Sequence, residues 1–191
     1  MYKQPITFDF DLMTGLCLQQ LGMDRKISDM KGMYCDEEAF RALLKENPLV
    51  YTFHDMQVPA ADMDLSFGTS ICQPGKVGQE YFMTKGHYHE IFGTAEIYYC
   101  LKGQGLMMME TPEGQWKAEE LVPGRVVYVP GGWAHRSVNT GTEPFITFYV
   151  FRADAGHDYA TIEEKSFRKM IIEQDNKPVI VDNPRWDAKK R

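Results

Sequence analysis

The stretch Gly124–Asn139, GRVVYVPGGWAHRSVN, decides how this chain is to be read. Gly124 permits a tight turn into the β-rich run VVYV, and Pro130 and Gly132 force a sharp turn at its end. His135 is thereby delivered to the mouth of a β-structure, and Asn139 closes a fixed spacing, G-x5-P-x-G-x2-H-x3-N.

Working upstream, two of the five histidines stand together as His87-Tyr88-His89. Strand side chains alternate, so positions two apart face the same side and can share one metal ion. Taken alone, the triplet reads equally as two surface or core histidines. Glu96 opens the run EIYYCL, in which Glu96, Tyr98 and Cys100 share one face and Ile97, Tyr99 and Leu101 the other. A carboxylate at that position is either an inward ligand or a solvated edge charge.

Between about Pro48 and Arg152 the chain alternates short β-rich runs (LVYTF, SFGTSIC, EYFMT, EIYYCL, GLMMME, RVVYVP, PFITFYVF) with turn signals (QPGK, LKGQG, TPEG, VPG, PGG, NTGTEP). This rhythm predicts an antiparallel sandwich or small barrel. The clearest hairpin joins Gly105–Thr111 to Gln115–Val122 through TPEG. Asp36 to Asn47 reads as a helix with Asp36 as N-cap and Phe40, Leu43 and Leu44 on one face. A second short helix starts at Thr161 with Ile162 and Phe167 inward, and the tail KPVIVDNPRW returns as an edge strand.

The chain has 191 residues, 43% hydrophobic and 25% charged, which fits one ordinary globular domain. A net charge of −6 removes the positive field on which nucleic-acid affinity rests. Cys17, Cys35, Cys72 and Cys100 are scattered and form no CxxC, so a zinc ribbon or disulfide scaffold is not expected. Asp9 and Asp11 occupy the place of a signal peptide's apolar core, and no run approaches ~18 uninterrupted apolar residues. A cytoplasmic chain with reduced thiols and no membrane partner is the expectation.

The spacing Gly124, Pro130, Gly132, His135, Asn139 resembles the second conserved motif of the cupin superfamily. The strings TKGHYH, AEIYYCLKG, TPEG, VVYVPGGWAHR, EPFITF, ADAGHDYATI and VDNPRW resemble, more narrowly, the cupin-type glucose-6-phosphate isomerases of archaea and some bacteria. The likeness runs from MYK through ISDM and CDEEAF to NPRW, nearly the whole chain. It implies an all-β cupin barrel or jelly roll with a few short flanking helices. It also implies a single domain over 1–191 with its barrel core at about 48–152, and a homodimer. The implied activity is reversible aldose–ketose isomerisation of glucose 6-phosphate and fructose 6-phosphate through a cis-enediol(ate) or a metal-assisted hydride shift.

The resemblance also assigns roles. His87, His89, Glu96 and His135 would hold one divalent ion per chain, Fe2+ first, with Ni2+, Co2+, Mn2+ or Zn2+ acceptable to the same donors. Glu96, Tyr98 and His157 would be catalytic, Glu96 as base as well as ligand. Tyr51 matches a pocket-lining position, while Ser70, Thr84, Gly86 and Tyr159 would meet the phosphate through hydroxyls and backbone amides. Phe151 stands where the family typically has a tyrosine. Arg152 replaces a following proline and would compensate at the phosphate. Lys85 reads as a solvated loop lysine and His54 as surface or supporting. The competing readings are an acireductone dioxygenase-like cupin and a non-catalytic sugar-binding cupin.

Overall fold

Antiparallel pairing organises the chain, which a computed structural model describes at residues 4–56 and 64–187. The strands are β1 (Met23–Lys26), β2 (Leu49–Asp55), β3 (Leu65–Cys72), β4 (Lys76–Val77), β5 (Glu80–Tyr81), β6 (Glu96–Lys102) and β7 (Gly105–Glu110). They continue as β8 (Trp116–Leu121), β9 (Val126–Val129), β10 (Ala134–Asn139), β11 (Phe145–Arg152), β12 (Lys169–Gln174) and β13 (Lys177–Asp182), with two short helices, α1 (Glu37–Leu43) and α2 (Ala160–Lys165). The expected all-β class with a few short helices is what forms.

Three sheets result, ordered β1-β2-β3-β11-β6-β9, β10-β7-β8 and β13-β12-β5-β4. The first two face each other across a cavity lined by Tyr51, Ser70, Glu96, Tyr98 and Tyr149 on one wall and His135 and Ser137 on the other. Alternation sets what faces in: along β6, Glu96, Tyr98 and Cys100 are buried while Ile97 and Tyr99 are exposed, as the sequence predicts. In β10 all six residues are buried. His135 and Ser137 line the cavity, and Arg136 on the other face lies 4.1 Å from the centroid of the Phe167 ring.

The expected hairpin β7–β8 forms, and its register places Gly105 opposite Leu121 and Glu110 opposite Trp116. The tail does return as an edge strand, β13, paired with β12, a partner absent from the sequence reading. Helix α1 is capped by Asp36, which accepts from the Ala39 N–H, but it ends at Leu43 rather than Asn47. Asn47 has φ 45° and precedes Pro48, so the helix cannot continue, and Leu44 is left 39% exposed. Helix α2 starts one residue early. Ile162 is buried, and Phe167 is buried beyond the helix end, past Ser166 at φ 60°. EYFMT gives only the two-residue β5, followed by a single bridge from Met83 to Val138. No helix among the described residues is long and apolar enough to cross a membrane.

The last described residues latch onto the barrel. Trp186 Nε1 donates to Glu110 Oε1 at 2.9 Å, and Arg185 Nη1 donates to the Tyr34 carbonyl at 3.0 Å. Asn183 Oδ1 accepts from the Arg185 N–H, which fixes the turn between them.

Candidate metal centre and adjoining cavity

A bridge outside the regular strands brings the histidines together. The His87 N–H donates to the His135 carbonyl at 3.3 Å and the His135 N–H returns to the His87 carbonyl at 3.1 Å. Glu96 enters from the opposite sheet, where it pairs with Val129 and Phe151. The loop between His89 and Glu96 rests on the PGG turn, where a Cβ on Gly131 would lie 2.4 Å from the Gly93 carbonyl oxygen. That glycine therefore permits a close approach of two backbones. The ligating atoms of His87, His89, Glu96 and His135 lie within 4.8 Å of one another, and all four residues are buried.

The hydrogen bonds of the rings decide what the cluster can hold. Thr94 Oγ1 gives its proton to the Ile91 carbonyl at 2.8 Å, so at 2.7 Å from His89 Nδ1 it is the acceptor and Nδ1 carries the hydrogen. His135 Nδ1 lies 3.2 Å from the Trp133 carbonyl, which can only accept. The free position of both rings is thus Nε2, and these atoms stand 3.1 and 2.9 Å from Glu96 Oε2. Neutral rings would aim lone pairs at a carboxylate oxygen, and only a cation, as protons on the rings or as a metal ion, reconciles them.

His87 narrows that choice. Its Nε2 is buried without a hydrogen-bond partner among the described residues, 4.0 Å from Glu96 Oε2. Burial first, and then the neighbouring His135 and His157, hold its pKa well below the ordinary value, so a proton is disfavoured there. Burial pushes the Glu96 carboxyl up, but the adjoining imidazoles of His135, His89 and His87 outweigh it and keep it ionised. Bonds of ~2.1 Å place donors at right angles ~3 Å apart and opposed donors ~4.2 Å apart, and the three distances to Glu96 match that range. The donor set fits a divalent ion.

A cavity of about 270 Å³ opens on this cluster. A family model described as glucose-6-phosphate isomerase (GPI) matches residues 24–187, a span that contains the cluster and the cavity. The chain belongs to the glucose-6-phosphate isomerase family. It is 51% identical over 185 residues to the glucose-6-phosphate isomerase of Thermococcus kodakarensis, covering 97% of this chain and 98% of that one. It is 48% identical over 187 residues to that of Pyrococcus furiosus, with 97% and 99% covered. The bacterial glucose-6-phosphate isomerase of Sinorhizobium medicae is 38% identical over 189 residues, with 96% and 88% covered.

In this member of the glucose-6-phosphate isomerase family, the cavity gathers most of the residues singled out from sequence. Tyr51, Ser70, Thr84, Gly86, Tyr98, His157 and Tyr159 line it beside His87, Glu96 and His135. His157 is carried there by the return of GHDYA across HYH: Tyr88 and Asp158 exchange backbone hydrogen bonds at 3.2 and 2.8 Å. Its ring lies 4.4 Å from that of His87 and stacks on Tyr159 at 5.8 Å. Gly86 sits at φ 76°, and a Cβ there would meet Phe167 at 2.8 Å and the His135 carbonyl oxygen at 3.0 Å. Thr84 Oγ1 accepts from the Ser137 N–H at 3.0 Å, so its own proton is available to the cavity.

Two residues fall elsewhere. Arg152 does not join the cavity lining; its guanidinium pairs with Asp154 on the outer side of the sheet. Position 152 follows 151 on the alternating strand β11, which directs its side chain away from the interior. Phe151 is buried, stacks on His89 at 6.0 Å and meets His157 edge-on at 5.2 Å, so an apolar wall stands where a hydroxyl was expected from the family. His54 is buried outside the cavity, with Nδ1 3.1 Å from the Gln20 carbonyl. Lys85 lines the cavity, yet its ammonium pairs with Glu163 at 2.8 Å.

Sequence reasoning passed over Arg25, Asp55, Ser137 and Tyr149, all of them in the cavity wall. Arg25 lies over the Phe53 ring at 5.2 Å. Its strand, MDRK, has no alternating apolar pattern to betray it. Ser137 was legible by counting two from His135. The Tyr98 phenol is pushed well above its ordinary pKa by burial, then by the neighbouring Glu96 charge.

Proposed function

We propose that the chain interconverts glucose 6-phosphate and fructose 6-phosphate with one divalent ion held by His87, His89, Glu96 and His135. The observation that carries this reading is the neutral, unpartnered His87 Nε2 beside an ionised Glu96, on the wall of a cavity otherwise rich in hydroxyls. Fe2+ is the first candidate, and Ni2+, Co2+, Mn2+ and Zn2+ suit the same donors. When bound, such an ion supplies Lewis-acid polarisation of a sugar oxygen.

The chain's own residues supply the proton chemistry. All three imidazole contacts fall on Glu96 Oε2, so Oε1 remains to take the proton from C2 of the open-chain aldose and return it to C1. Charge then develops on O1 and passes through a cis-enediol(ate) as the ketose forms. Tyr98 stays a protonated donor that orients Glu96. His157 has its pKa lowered by burial, against the opposing Glu96 charge, so it is a neutral ring able to exchange a proton with a sugar hydroxyl. Ser70, Thr84, the Gly86 amide, Tyr51 and Tyr159 form a polar seat for the phosphate, with Arg25 beside them.

The active unit is proposed to be a homodimer. Leu65, Ile97, Tyr99, Val126 and Tyr128 are exposed on the outer face of the six-stranded sheet, an apolar surface suited to a second copy.

The test is fructose 6-phosphate turnover in deuterated water by the metal-loaded protein. Glucose 6-phosphate carrying deuterium at C2 is expected. Conversion without label would move the reading to a hydride shift, and no conversion with any metal would overturn the isomerase.

A further inference from the structure

Among the described residues two carboxylates line the cavity, Glu96 and Asp55, and only the first belongs to the metal cluster. Asp55 ends β2, whose alternation places Tyr51, Phe53 and Asp55 successively on the wall. Toward the Tyr51 end stands a cation. Arg25 pairs with Tyr51 in the sheet register and its guanidinium lies over the Phe53 ring, while the Lys85 ammonium is paired with Glu163. Asp55 lies four residues further along, ~13 Å at strand rise. Its row runs through Gly68 and Tyr149 to Tyr98, the tyrosine two residues from Glu96 on the same face of β6. The wall therefore carries the Arg25 guanidinium on its Tyr51–Phe53 side and the Asp55 and Glu96 carboxylates on the other.

The Asp55 carboxylate is also held for use. Ser66 Oγ donates to Oδ1 at 2.8 Å, which fixes the rotamer, and no other described residue hydrogen-bonds or ion-pairs with the side chain. A partly buried carboxylate with one satisfied oxygen is costly unless a ligand completes it.

We propose that Asp55 is a substrate-binding residue: its free oxygen accepts hydrogen bonds from hydroxyls of the sugar chain, and its charge keeps the phosphate at the Arg25 end, so that the substrate enters in one direction. This rests on the isomerase reading above. Sugar hydroxyls are donors that a carboxylate satisfies, whereas a phosphate would meet like charge beside both Asp55 and Glu96.

The test compares Asp55→Asn and Ser66→Ala with the parent, all metal-loaded, in the coupled assay and by calorimetric binding of fructose 6-phosphate and of inorganic phosphate. Asp55→Asn is expected to lower kcat/KM about 10- to 100-fold, mostly through KM, and to weaken calorimetric binding of the sugar phosphate similarly. Inorganic phosphate should bind it as tightly as the parent or more tightly. Ser66→Ala keeps the charge but releases the rotamer, and should weaken the sugar phosphate by less than Asp55→Asn does. Unchanged binding in Asp55→Asn, or equal weakening of both ligands, would overturn the proposal. Should Asn lower the melting temperature, Asp55→Ser serves in its place. A parent that binds the sugar phosphate without converting it would sink the isomerase reading, while the two calorimetric ratios would still decide the role of Asp55.

Discussion

At the scale of the residue, Thr94 shows how much a site depends on groups that never touch the ligand. Its hydroxyl, having given its only proton to Ile91, and its backbone carbonyl at 3.0 Å together fix the His89 tautomer. Thr94→Val keeps the shape and the backbone acceptor but removes the hydroxyl one, and metal affinity should fall about 3- to 10-fold in a chelator competition, with the fold intact by circular dichroism. The histidines and Glu96 were legible because they sit in a fixed spacing and on an alternating strand. Thr94 was not, because its partner is five residues away across an irregular loop. Asp55 and Arg25 were hidden for a different reason: facing the cavity depends on which strands lie side by side, and only the register of β1, β2 and β3 settles that.

At the scale of the element, the turn before β10 and the loop before His87 carry the site. Gly86, at φ 76° and hemmed in by Phe167 and the His135 carbonyl, admits no side chain without strain. Gly86→Ala should cost about 1–3 kcal/mol, lowering the melting temperature by several degrees, and raise KM more than it lowers kcat. Calorimetry and initial rates check the two halves. Strands with an alternating face, such as β6, and the hairpin β7–β8 were readable from local pattern. The β12–β13 hairpin was missed although Asp175-Asn176, both at positive φ, supply the two-residue turn that favours it. Helix α1 was read too long because apolar spacing continues to Leu44 while backbone geometry at Asn47 and Pro48 does not allow it.

At the scale of the whole molecule, the chain end stabilises the barrel that holds the site. Glu110 is fully buried, and it accepts from the Arg168 N–H and the Trp186 indole, with the Lys165 ammonium 3.6 Å away. Burial pushes its carboxyl pKa up, against those donors. Trp186→Phe leaves one oxygen of that carboxylate without its donor and should cost about 1–3 kcal/mol, read as a lower urea midpoint at unchanged slope. The string NPRW was noticed in the sequence as part of a family likeness, but its physical reason lies 76 residues away in β7 and no local pattern reports it. The barrel itself was legible, since regular turn signals and alternating runs over-determine an antiparallel fold.

The central claim, that three histidines and Glu96 hold one divalent ion on which isomerisation depends, meets its most direct test in protein stripped by chelator and reloaded with single metals. Metal content by elemental analysis and fructose 6-phosphate conversion should rise together to one ion per chain. His87→Ala should bind far less metal and stay inactive. Full conversion by the stripped protein, or reloaded ions that bind equally well without His87, would contradict it.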